Sequence, residues 1–208
     1  MIAYLLFLIP LVLSVLAVKT NFYPLKAAVT LTCIALLIFF GGSEGKGLLV
    51  VVAFGFSVTG DFFLSHRGPK GKEKPFWFIY GIGLFLLAHV FYLGYVSQSA
   101  SLTWIPLLSV LIPLLLYYTF RIRPHLDGLP MKIAVLLYLL ISCFSLALVI
   151  SYEGTLWTKI CLISGIGLIV FSDACISEAN FMDIEPFHGF ILPTYYAAHM
   201  IITLGMVL

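Results

Sequence analysis

Long apolar stretches follow one another along this chain, and charged side chains gather in the short breaks between them. The stretches fall near residues 2–18, 25–41, 48–65, 77–97, 104–120, 131–152, 157–178 and 188–208. Each approaches the roughly 20 residues that carry a helix across the hydrocarbon of a bilayer. The pattern predicts an all-α protein, a polytopic membrane bundle of eight transmembrane helices forming a single domain over residues 1–208. The opening MIAYLLFLIPLVLS lacks a positively charged leader and runs on into further spans, so it reads as a first span rather than a cleaved signal peptide.

Composition agrees with this picture. Of 208 residues, 62% are hydrophobic and 10% charged, which leaves too little polar surface to clothe a soluble globule. The charges orient the bundle. Lys19 and Lys26 fall in the first loop, Arg67, Lys70, Lys72 and Lys74 in the third, and Arg121, Arg123 and Lys132 in or beside the fifth, against only Lys46 and Lys159 in the even loops. The positive-inside rule then makes the odd loops cytoplasmic and both termini non-cytoplasmic. The expected location is a bacterial inner membrane. Glu178, Asp183 and Glu185 make the seventh loop acidic, which counts little in that rule. The net charge of +2 is thus a topological signal, with no patch for nucleic acid. Cys33, Cys143, Cys161 and Cys175 lie inside spans without a C-x-x-C pair and read as packing residues.

The two halves resemble each other. LIPLVL at 8–13 returns as LIPLLL at 111–116, and PLKAAVTL at 24–31 as PMKIAVLL at 130–137. TGDFFLS around Asp61 is answered by FSDACIS around Asp173, and LAHVFYLG at 87–94 by AAHMIITLG at 197–205. Four matches in the same order, one per span, predict a parallel four-plus-four internal repeat with halves of about 1–103 and 104–208. Asp61 and Asp173 then occupy equivalent places in the third and seventh spans.

An ionisable side chain inside a span costs about 2.5 to 3.5 kcal/mol on insertion scales, which makes each aspartate a candidate site by default. Both lie about 7 Å from the cytoplasmic end of their spans, and His89 and His199 about 18 to 20 Å in, at 1.5 Å per residue. Ser57 and Ser65 flank Asp61 at four-residue spacing, and Ser177 follows Asp173 likewise, giving each carboxyl a polar stripe. Tyr92 lies one turn from His89, and Tyr195 and Tyr196 one turn before His199. No Lys or Arg is expected mid-span beside either carboxyl. If the two carboxyls face one another in a dry site, they share protons unequally, as general acid-base chemistry requires. His66, His125 and His188, at span ends, read as interfacial. Gly81, Gly83, Gly165 and Gly167 read as points of close helix contact.

The set Gly60–Asp61, Ala88–His89–Tyr92, Ser172–Asp173 and Pro193–Tyr195–Tyr196–Ala197 resembles the motifs of the YhhN-type lysoplasmalogenase family of eight-span membrane proteins, and the likeness covers essentially the whole chain. It departs at His199, where relatives often carry Gln. The resemblance implies hydrolysis of the sn-1 vinyl ether of lysoplasmalogens to a fatty aldehyde and glycerophosphoethanolamine or glycerophosphocholine. It implies Asp61 and Asp173 as the catalytic pair. Ser57, His89, Tyr92, Tyr195, Tyr196 and His199 are then expected to bind the lysophospholipid.

The chemistry fits the residues. Acid cleaves a vinyl ether by protonating its β-carbon, and water captures the oxocarbenium ion before the hemiacetal collapses. One carboxyl can deliver that proton while another stabilises the cation and activates water, with no metal or other cofactor. Loop three, RGPKGKEK, could also draw in the phosphate, although its plainer role is the cytoplasmic anchor. Two other classes remain open: a zinc-dependent lipid amide hydrolase of the alkaline-ceramidase type, and a proton-coupled transporter built on parallel repeats.

Overall fold

A computed structural model describes residues 5–41, 47–66, 68 and 75–207. Its regular elements are helical throughout the described residues: α1 (Leu8–Thr20), α2 (Tyr23–Phe40), α3 (Gly47–Ser65), α4 (Pro75–Val96), α5 (Trp104–Tyr117), α6 (Gly128–Ile150), α7 (Leu156–Phe181) and α8 (His188–Val207). Lys46, Arg67, Lys70, Lys72 and Lys74, on which much of the orientation argument rests, lie outside the described residues.

Among the described residues seven segments are long and apolar enough to cross a bilayer, and α1 is shorter, at 13 residues. At 1.5 Å per residue α1 rises about 20 Å, against about 30 Å of hydrocarbon. Of the eight expected spans, seven are thus found as candidate spans, and the first is met by a shorter helix whose expected start at residue 2 lies outside the described residues. Burying each backbone donor and acceptor within its own helix is what lets such segments leave water.

The helix ends have local causes. Asn21 closes α1 in the left-handed conformation at φ 53°, its N–H bonding Ala17 O at 2.9 Å. Pro24 then stands in the first turn of α2, where its missing N–H costs nothing. Thr155 caps α7 by accepting the Thr158 N–H at 3.1 Å. Beyond Tyr117, α5 continues as a π-helical turn, Tyr118–Ile122, and a 3₁₀ turn, Arg123–His125.

The chain divides into two compact units, one through Tyr95 with the last residues from Met206, the other Val96–Gly205. In the first, α1 packs on α2 and α2 on α3, around Val29, Cys33, Val50, Ala53 and Phe54, all with no exposed surface. A Cβ on Gly60 would stand 3.0 Å from the Phe85 ring, and one on Gly81 2.8 Å from Leu64, so α3 and α4 approach at these two glycines. In the second unit, α5 packs on α6 through Leu107, Cys143 and Ala147. Tyr118 and Ile122 of the π turn join Leu126 and Val135 in a second cluster.

Gly165 meets Ile202, and Gly205 meets Cys161, across the α7–α8 contact. Gly83 and Gly167 correct the sequence reading: nothing lies within 4 Å of where their Cβ would be. All four cysteines are buried. His66, His125 and His188 are exposed at helix ends, as interfacial residues should be.

Candidate functional site

In the first unit the polar residues are set by helical spacing. Phe54, Ser57 and Asp61 recur at three- and four-residue intervals and share one face of α3. That face is buried, with Ser57 2% and Asp61 7% exposed. Lys26 lies beside it. The sequence placed this lysine in a loop and expected no cation by either carboxyl; it belongs to the first turn of α2, only 8% exposed. Its ammonium donates to Ser65 Oγ at 3.3 Å, one turn along α3 from Asp61. The reason is geometric: α2 begins where α3 ends, and a lysine stem can follow an apolar wall while its head finds a polar partner.

Helix α4 supplies His89 and Tyr92, both buried, their rings edge to face at 6.2 Å between centroids. Phe54 meets Tyr92 in the same manner at 6.2 Å, which ties the Asp61 helix to the His89 helix. Gly60 makes this approach possible, since any side chain there would strike Phe85.

In the second unit Asp173 is half-buried on α7. The Tyr138 hydroxyl, from α6, donates to its Oδ2 at 2.8 Å. That hydrogen bond helps fix the carboxyl's rotamer. Ser177 is not aimed at that carboxyl as its spacing suggested; it donates to the Asp173 carbonyl at 3.1 Å, the usual back-bond of a helical serine. Ser172 donates to Ile191 O of α8 at 3.0 Å. On α8, Tyr195, Tyr196 and His199 form one buried ring cluster, with centroids 5.3 Å apart for the tyrosines and 4.3 Å for Tyr195 and His199.

There is a third polar group. Glu178, which the charge pattern places in an acidic loop, belongs to α7 and is only 6% exposed. It takes a two-pronged contact from Arg121, Nε to Oε1 at 3.1 Å and Nη2 to Oε2 at 3.0 Å, and the Tyr117 hydroxyl at 3.0 Å. Loss of water by a buried carboxylate is offset only by such complete pairing. Among the described residues no three His, Cys, Asp or Glu side chains gather as a metal ion needs.

The structure thus brings Ser57 and Asp61 onto one face, joins His89 to Tyr92, and joins Tyr195 and Tyr196 to His199. Asp61 belongs to the first unit and Asp173 to the second. Lys26, Tyr138, Tyr117, Arg121 and Glu178 are the polar residues that sequence reasoning missed as site members. The recurrence of Lys26 as Lys132 in the matched P-x-K motifs was the one available signal for the first.

Seven apolar spans carrying buried acids, histidines and tyrosines define a polytopic integral membrane protein with polar sites inside its helices. Residues 21–206 match the model of the YhhN family, and the chain belongs to that family. Neither a curated protein nor a solved structure matches it.

Proposed function

We propose that this YhhN-family protein hydrolyses the sn-1 vinyl ether of lysoplasmalogens, with Asp61 and Asp173 as its acid-base pair. The observation that carries the reading is the contrast between the two aspartates. Asp61 is buried on the face of α3 one turn before Ser65, which holds the Lys26 ammonium, whereas Asp173 is half-buried and accepts the Tyr138 hydroxyl. Unlike settings are what a division into acid and base requires.

The reaction needs one proton delivered to the β-carbon and one removed from water. Protonation places positive charge on the ether carbon and oxygen, where a carboxylate stabilises it. Water adds to that carbon as the second carboxylate takes its proton. The hemiacetal then collapses: the first carboxylate takes the hydroxyl proton, which restores the acid, and the second carboxyl gives its proton to the departing glycerol oxygen, leaving a fatty aldehyde. The apolar helix faces suit the chain of a single-chain lipid, and we take His89 with Tyr92 in the first unit, and Tyr195 and Tyr196 with His199 in the second, as its polar binding residues.

Aldehyde release by the purified protein from a lysoplasmalogen tests this directly. Asp61→Asn and Asp173→Asn each keep shape but cannot cycle a proton, so each should lower turnover by about 100-fold or more while the protein still elutes as a folded species. Near-normal aldehyde release by either variant removes that residue from the chemistry. Activity should survive EDTA; a loss restored by zinc would instead identify a metallohydrolase. The matched saturated ether should inhibit without being cleaved, because it cannot form the cation.

A further inference from the structure

We infer that Arg121, held by Glu178 and Tyr117 at the π turn after α5, is the seat for the phosphate of a single-chain phospholipid. The inference rests on the lysophospholipid reading above, and names which part of the protein reads the headgroup.

A cytoplasmic anchor needs only positive charge at the membrane boundary. It gives no reason for a buried acid. Here Glu178 is 6% exposed and binds Arg121 by two of its nitrogens, so the guanidinium plane is fixed rather than floating. Glu178 engages one edge of the fork. The remaining edge, with both Nη1 donors, belongs to a side chain that is 51% exposed. A planar fork fixed on one side and open on the other is suited to a phosphate, which it can meet with two parallel hydrogen bonds.

The neighbouring turn adds charge. His125 Nδ1 lies 3.0 Å from the Arg121 carbonyl, which seats its ring on the same turn, and Arg123 stands exposed between them. The π turn itself has a consequence for placement, since an i→i+5 turn rotates the following side chains off the ordinary helical track.

The spacing to the chemistry is also suitable. Glu178 lies five residues beyond Asp173 on α7, an axial rise of about 7.5 Å. The two side chains leave the helix in different directions, Asp173 toward Tyr138 of α6 and Glu178 toward the end of α5. In a lysophospholipid, five covalent bonds separate the sn-1 ether oxygen from phosphorus, a comparable reach. Tyr117 links the two levels, donating to Glu178 at 3.0 Å and lying 3.4 Å from Ala174 O.

The test compares a lysoplasmalogen with a 1-alkenylglycerol of the same chain, which lacks the phosphate, in phospholipid-free maltoside micelles. The variants are R121Q/E178Q, which replaces the charged pair by two amides and strands no buried carboxylate, and R121K, which keeps the charge but loses the fork. The wild type should favour the phosphate-bearing substrate by about tenfold or more in kcat/KM, mainly through KM. That ratio should collapse toward unity in R121Q/E178Q and fall partway in R121K. An unchanged ratio in either folded variant overturns the inference.

If the wild type cleaves neither compound, the vinyl-ether reading fails and binding decides the seat. Tryptophan fluorescence then compares a saturated alkyl lysophospholipid with the matching alkylglycerol. A preference for the phosphate that R121Q/E178Q loses supports the seat, and a preference that is absent or persists overturns it. Because the micelles hold no phospholipid, a defect seen only after reconstitution into phospholipid vesicles would assign Arg121 to bulk lipid anchoring and also overturn it.

Discussion

A lysine read as a loop charge changes what Asp61 is. Hydropathy weighs residues one at a time, and a charged residue within four residues of a span end looks the same whether it meets water or another helix. Lys26 and Glu178 were both misplaced for this reason: their partners, Ser65 with the nearby Asp61 in one case and Arg121 in the other, lie 39 and 57 residues away. The aspartates were legible because a lone acid in hydrocarbon is conspicuous without knowledge of its partner. Two outcomes follow. Lys26→Met should lower turnover by about tenfold, and adding it to Asp61→Asn should cost little more, because residues acting as a unit are not additive. Tyr138→Phe removes one donor from Asp173 and should reduce kcat by about tenfold, the scale of one hydrogen bond to a charged group. Aldehyde-release kinetics on the single and double variants check both.

Among the helices, periodicity and length served well for seven segments. The spans expected at 25–41, 48–65 and 131–152 are found at Tyr23–Phe40, Gly47–Ser65 and Gly128–Ile150. Glycine was the weaker guide, since a small residue marks a close contact only where another helix arrives. Gly165→Ala and Gly205→Ala would drive a methyl into Ile202 and Cys161. Each should cost about 1 to 3 kcal/mol, as overpacking does, and lower the thermal midpoint in detergent. Gly83→Ala and Gly167→Ala, with open space before them, should leave the midpoint unchanged. The short α1 can be judged by its surface. Leu8, Ile9, Leu11, Val12, Val15 and Leu16 are all exposed, and they leave no broad polar face such as a helix lying in the interface requires.

For the molecule in its membrane, that surface bears on orientation. An α1 that crosses puts both termini on the non-cytoplasmic side, as the loop charges suggest. A C-terminal alkaline phosphatase fusion should then be active and a C-terminal fluorescent-protein fusion dark, with an N-terminal tag accessible from the same outer side. An N-terminal tag reachable only from the cytoplasm would show that α1 stops short. The proposed duplication draws on the same four matched motifs, and their intervals are unequal: from Leu8 to Pro24 is 16 residues, and from Leu111 to Pro130 it is 19. The surplus falls in the stretch that forms the π and 3₁₀ turns around Arg121. If the halves descend from one four-helix ancestor, that stretch is an insertion kept by one copy alone. The headgroup seat would then be an acquisition made after duplication, laid on a scaffold whose two halves had until then been interchangeable. Excising Thr119 should undo it, turning Arg121 by about 100° away from Glu178 while leaving both aspartates on their helices.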